Sequence, residues 1–350
     1  ATAARRAPRA VGHVRGALAG GGGTGPMPTP APSPAPPPPT PLGLPRRTFV
    51  WDAPTGTHRI NYVTAGCGQP VLLVHGFGAN SSHFRKTIAE LAKRYKVYAI
   101  DLLGFGASDK AQVDYCMELW RDQILAFHRE FIQVPAVIVG NSIGSLATLM
   151  AAAERPAAVR GVALLNCCGA MNNKGVLNDW RVYLVYPIIL LVDVLLKSPL
   201  AAWLFNAFRT PENIRNVLQN VYRNPAAVDD ELVEFIYRPS CDAGALGVFV
   251  SVLTGPPGPR PWDIAPRVSA PLLAMWGDTD TFVPVDSPVG NFFRRLADER
   301  SDAQFHLLED VGHCPHDDRP ELVHAHLLPW LESVWASDGI TCEAEAAAAS

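Results

Sequence analysis

The 350-residue chain has no Cys-x-x-Cys or other metal-ligand spacing, no apolar run long enough to cross a bilayer, and no acidic residue before position 52. Its seven cysteines, at 67, 116, 167, 168, 241, 314 and 342, are odd in number and scattered. They read as reduced thiols in a reducing compartment, which excludes a disulfide-built secreted module. A spanning helix needs roughly 20 consecutive apolar residues. In the most apolar stretch, Trp180 to Phe208, charges at Arg181, Asp193, Lys197 and Arg209 leave two uncharged runs of eleven residues, each containing a proline. That stretch is read as a buried helix pair, a wall of an apolar pocket, or a surface that dips into lipid.

The missing acids have a second consequence. Residues 1–51 carry six arginines and no opposing charge, so 24 basic and 33 acidic residues leave −9 on the remainder. A basic face for nucleic acid is therefore not expected in the folded part. With 48% apolar and 18% charged residues, the chain has ample core for one large domain or two small ones, and collagen and coiled coil are excluded.

Residues 1–46 are expected to be disordered. Eleven of the twenty residues from Pro26 to Pro45 are proline, and such a segment is extended and buries no core. The Ala- and Arg-rich, acid-free stretch ahead of it reads as an organellar transit peptide or a plain linker. It has no apolar h-region, which disfavours a secretory signal. Residues 337–350 read as a frayed tail.

From Thr48 onward, short aliphatic runs alternate with helical patterns. Runs at Val71–Val74, Val97–Ile100, Ala136–Val139, Val162–Leu165, Leu272–Trp276 and Phe305–Leu308 are brief and bounded by Gly, Pro, Asn or Asp. Amphipathic stretches at Phe84–Tyr95, Met117–Ile132, Gly144–Ala153, Phe292–Ala297 and Glu321–Val334 lie among them. This alternation predicts an α/β fold with a mostly parallel central sheet and helices on both faces. It stops near Gly169 and resumes at Pro271. The expected organisation is a core of residues 47–169 and 263–336, with a helical cap, 170–262, inserted after the sixth strand.

Gly140-Asn141-Ser142-Ile143-Gly144 follows one predicted strand and opens a helix. A strand–turn–helix elbow of this kind exposes a nucleophile at the carboxyl end of a sheet. A serine hydroxyl needs a base, and the base an orienting acid. Asp280 and His313 both fall just past the carboxyl ends of later strands and are the candidate acid and base. Asp278 is the rival acid and His316 the alternative base. His324 and His326 fall on the following helix and read as surface or packing residues. An ester transition state also needs backbone donors for its oxyanion. Ile143 N–H supplies one candidate, and Phe77 N–H, in the His75-Gly76-Phe77-Gly78 loop after an early strand, the other. His75 itself is expected to brace that loop.

Together with Asp101-Leu102-Leu103-Gly104-Phe105-Gly106-Ala107-Ser108-Asp109-Lys110 and Gly277–Asp280, these motifs resemble the α/β-hydrolase superfamily over roughly residues 48–335. A narrower resemblance, to the chlorophyll dephytylases of plant and algal chloroplasts, rests on several segments. They are Asn166-Cys167-Cys168-Gly169, Met171–Lys174, Asp179-Trp180-Arg181, Leu253–Pro259 and Gly312–Pro315 ahead of Asp317–Pro320. This resemblance implies hydrolysis of the phytyl ester of chlorophyll at the thylakoid membrane, with Ser142 as nucleophile, Asp280 as acid and His313 as base. It implies no protein-bound metal or organic cofactor; any magnesium belongs to the substrate. Serine at the nucleophile position disfavours the carboxylate-nucleophile chemistries of this fold. The same triad would also suit a general chloroplast carboxylesterase or acyl-lipid hydrolase, a carbon–carbon bond hydrolase or haloperoxidase, or a receptor-like hydrolase that binds a terpenoid without turnover.

Overall fold

A computed structural model describes residues 40–172, 191 and 193–336. The transit-peptide-like segment up to 39, the first part of the apolar stretch (180–190 and 192), Lys174, Asp179, Arg181 and the tail from 337 lie outside the described residues. Chain organisation starts before the expected boundary at 46. Pro41–Gly43 form a single 3-10 turn with Pro41 buried, because Leu44 packs against one side of the core.

Eight strands form one sheet: β1 (Arg47–Ala53), β2 (Gly56–Ala65), β3 (Pro70–Val74), β4 (Lys96–Ile100), β5 (Ala136–Asn141), β6 (Val159–Leu165), β7 (Leu272–Gly277) and β8 (Ala303–Leu308). Their order is β1-β2-β4-β3-β5-β6-β7-β8. From β4 to β8 every pairing is parallel; β1–β2 and β2–β4 are antiparallel. Among the described residues the α-helices longer than four residues are α1 (Arg85–Leu91), α2 (Met117–Phe127), α3 (Ile143–Glu154), α4 (Leu200–Phe208), α5 (Pro211–Val221), α6 (Asp230–Ser240), α7 (Ala245–Thr254), α8 (Pro288–Glu299) and α9 (Pro320–Trp335). The helix predicted over 117–132 is α2 continued by one π turn, His128–Ile132.

The unbroken aliphatic character of the central strands follows from burial on both faces. Successive residues point to opposite sides, so Leu72, Val74, Ile138, Leu164 and Trp276 enter a core with α2, α3 and α8. Val71, Leu73, Val139, Leu165 and Met275 enter a second core with α1 and α9. The β1–β2 hairpin was not among the predicted strands. Its residues alternate, with Phe49, Trp51, Ile60 and Tyr62 inward and Val50 outward, so its apolar runs are too short to stand out.

Helices α4 to α7 lie between β6 and β7. α5 and α6 form a small core of their own from Ile214, Leu218, Val221, Leu232 and Val233, with Cys314 joining it. They contact the segments that follow β3 and β4: Asn80 Nδ2 donates to the Phe235 carbonyl at 2.7 Å, and Lys110 pairs with Asp242 at 2.8 Å. Among the described residues no helix is long and apolar enough to cross a membrane.

Candidate active site

Ser142 stands between β5 and α3 at φ 54°, ψ −119°, a conformation that L side chains rarely adopt. Its neighbours hold it there. Ser142 N–H donates to the Leu165 carbonyl at 3.0 Å, and its own carbonyl accepts from Ser145 at 3.0 Å. The flanking glycines are required by close approach. A Cβ on Gly140 would stand 2.5 Å from the Gly144 carbonyl oxygen, and one on Gly144 would stand 2.4 Å from the carbonyl oxygens of His75 and Val74. Ile143 is the first residue of α3, so its N–H has no acceptor within the helix.

The loop after β3 lies against this elbow. Gly76 is so placed that a Cβ would touch Asn141 Oδ1 and Ser142 Cβ at 3.1 Å, which brings Phe77 beside the serine. His75 is fully buried and braces the loop. Leu102 N–H donates to its Nε2 at 2.9 Å, so Nδ1–H donates to the Gly76 carbonyl at 2.7 Å. Burial pushes its pKa down, in keeping with a neutral ring. Asp101 organises the neighbouring loop by accepting from Ser81 N–H at 2.7 Å, Ala107 N–H at 2.8 Å and Asn61 Nδ2 at 2.8 Å.

His313 and Asp280 are brought together across the ends of β7 and β8. His313 Nδ1–H donates to Asp280 Oδ2 at 2.7 Å, which leaves Nε2 as the ring nitrogen not engaged by the carboxylate. The Asp280 carboxylate is buried and also accepts from Asn166 Nδ2 at 2.7 Å, Phe282 N–H at 2.8 Å and Val283 N–H at 3.0 Å. Burial alone would raise its pKa. The hydrogen bond and charge of His313, with the Asn166 and Val283 donors, outweigh it and hold the group below the usual carboxylate value. Asn141 Nδ2 donates to the His313 carbonyl at 3.1 Å, tying the serine elbow to the histidine loop.

The other candidates lie elsewhere. Asp278 is exposed, and its carboxylate accepts from Val311 N–H at 3.2 Å within the adjoining turn. His316 is fully buried, stacked on Phe84 with ring centroids 4.3 Å apart, and neither of its ring nitrogens has a hydrogen-bond partner among the described residues. His324 meets Thr87 Oγ1 at 3.3 Å, and His326 stacks on His306 at 4.0 Å. Asn166 had no role assigned from sequence. It follows β6 directly, at φ 46°, and its placement just past a sheet strand is the same signal that pointed to Asp280 and His313. Among the described residues no group of three or more His, Cys, Asp or Glu is arranged to hold a metal ion.

The alpha/beta hydrolase family model matches residues 71–326. A chloroplastic pheophytinase of Arabidopsis thaliana is 27% identical over 316 residues, 78% of this chain and 64% of that protein, so the chain spans less than two thirds of this relative's length. An uncharacterized hydrolase of Bacillus subtilis (strain 168), YugF, is 25% identical over 265 residues, 75% of this chain and 90% of the other. A bacterial membrane phospholipase A structure shares the fold, with a TM-score of 0.64 and 24% identity over 83% of this chain and 87% of that one. The chain belongs to the alpha/beta hydrolase family and is a hydrolase of that type.

Proposed function

We propose that this hydrolase is a serine esterase that cleaves the phytyl ester of chlorophyll-type pigments in the chloroplast, through Ser142, His313 and Asp280. The observation that carries the chemistry is the 2.7 Å Asp280–His313 hydrogen bond, on a loop tied to the strained serine elbow. His313 Nε2 takes the Ser142 proton as Oγ attacks the ester carbonyl. Phe77 and Ile143 N–H groups stabilise the oxyanion, and His313 passes the proton to the departing phytol oxygen. A water molecule, deprotonated by the same ring, then attacks the acyl-serine; the acid is released and the serine proton restored.

The pigment substrate is supported by the resemblance of the flanking motifs and by similarity to a pheophytinase. The chloroplast assignment draws on that relative's location and on the arginine-rich, acid-free first 51 residues. Peripheral thylakoid contact runs through the inserted helices. Its support is the outward apolar surface of Leu191, Val194, Leu200, Trp203 and Phe208.

The test uses the full chain with chlorophyll a, pheophytin a and p-nitrophenyl acetate, each beside Ser142→Ala, with products separated by chromatography. Chlorophyllide or pheophorbide formed only with the intact serine supports dephytylation. Cleavage of the small ester alone keeps the serine chemistry and replaces the pigment by another carboxylic or acyl-lipid ester.

A further inference from the structure

One buried carboxylate binds the histidine loop and the inserted helices at once. Asp318 lies five residues after His313 and is fully buried. Its Oδ2 accepts from Gly312 N–H, the amide preceding His313, at 2.7 Å. The same side chain accepts from Arg223 N–H at 3.0 Å and Asn224 N–H at 2.8 Å, where the chain leaves α5. A charged acceptor makes stronger hydrogen bonds than a neutral one. These bonds join two segments that only tertiary structure brings together.

The backbone makes the same junction. His313 N–H donates to the Val221 carbonyl, the last residue of α5, at 3.0 Å. That contact requires glycine next door, since a Cβ on Gly312 would stand 1.9 Å from the Val221 oxygen. Asn224 Nδ2 adds a donor to the Asp318 carbonyl at 3.3 Å, and Tyr222 Oη donates to Asp317 Oδ2 at 3.1 Å. Residues 221–224 thus touch residues 313–318 through four hydrogen-bonded residue pairs. His313 is held by its carbonyl to the serine elbow and by its amide to the inserted helices.

We infer that Asp318 is a positioning residue, which couples the seating of the inserted helices to the orientation of the His313 ring. The inference rests on the reading of His313 as the base. A ring displaced by about 1 Å can lose ~100-fold in rate while substrate binding is kept. A purely structural carboxylate would instead lower thermal stability and leave the rate per folded molecule unchanged.

The test compares wild-type, Asp318→Asn and Asn224→Pro full-length proteins. The amide in Asp318→Asn keeps one acceptor oxygen and cannot serve all three N–H groups. Asn224→Pro removes the backbone N–H, at a φ of −87° near the proline value, together with the side-chain donor to the Asp318 carbonyl. Four quantities are read: kcat and KM on p-nitrophenyl acetate, the melting transition, and the downfield proton resonance of His313 Nδ1–H. The expected result for Asp318→Asn is kcat down ~10- to 100-fold, KM within about twofold, and the His313 resonance shifted or broadened. Asn224→Pro should move the same quantities less, and carries the test if Asp318→Asn does not fold. Wild-type kcat and resonance in a cooperatively melting variant would overturn the inference. Ser142→Ala separates the two readings: if it still cleaves the ester, the serine assignment fails, and the resonance alone decides the role of Asp318.

Discussion

Asn166 and Asp280, 114 residues apart in the chain, meet in a 2.7 Å hydrogen bond on the same carboxylate oxygen that receives His313. Asn166 Oδ1 also accepts from Gly277 N–H at 3.2 Å, so one amide side chain aligns β6, β7 and the acid. Asp280→Asn should lower kcat by ~10⁴-fold, as expected when the orienting acid of a triad is lost. Asp278→Asn should stay within a few-fold, and steady-state kinetics on a small ester would reveal a reversed ranking. Asn166→Ala, which leaves Asp280 ionised but less constrained, should fall between them.

Gly144→Ala tests the elbow itself. The added methyl would stand 2.4 Å from two backbone oxygens that no side-chain rotation can move. A loss of at least ~1–3 kcal/mol is expected, the usual cost of overpacking a dense interior. Urea denaturation measures it. A midpoint unchanged from wild type would show that β3 and α3 can separate at no cost.

Acid should unfold the protein through its buried imidazoles. Burial pushes His83 down to about 3, helped by His75, Arg85 and His313, and burial with His83 pushes His316 well below the usual histidine value. The unfolded chain takes up these protons near pH ~6.5, whereas the folded chain does not. Stability is therefore fully present above that pH and declines below it, by about 1.4 kcal/mol per pH unit for each such group. His316→Phe, which retains stacking on Phe84, should flatten the decline by one group's share. Parallel pH curves for the two proteins would sink this explanation. Asp280, with its lowered value, adds a further loss in the same direction at still lower pH.

Membrane contact has its own test. Trp203 and Phe208 are 65% and 64% exposed on α4, and burying such rings in a bilayer interface is favourable. A Trp203→Ser, Phe208→Ser double variant should sediment less with galactolipid vesicles, with unchanged cleavage of a water-soluble ester. Equal sedimentation would remove α4 as the contact.

The parallel strands were legible because burial on both faces leaves continuous aliphatic runs, and the serine elbow because two glycines flank it. The hairpin of β1 and β2 was not, since Val50 and Asp52 beside Trp51 are exposed and Arg59 and Asn61 flank Ile60 with polar side chains. Asp280 and His313 could be ranked from their places after strands. The work of Asp318 could not. Its partners, Arg223 and Asn224, give only backbone amides, which carry no side-chain signature.

The bond from Asn141 to the His313 carbonyl closes a span of 172 residues. A chain made from its N-terminus reaches the serine elbow long before β8 and the histidine loop exist. The fold therefore delays assembly of this cluster until β8 and the histidine loop have been synthesised, and such long-range closures are slow. A nascent or prematurely terminated chain lacking residues 309–318 carries the elbow without the His313 loop that Asn141 holds. With His313 as the proposed base, the order of the strands alone then keeps an unfinished molecule from hydrolysing an ester.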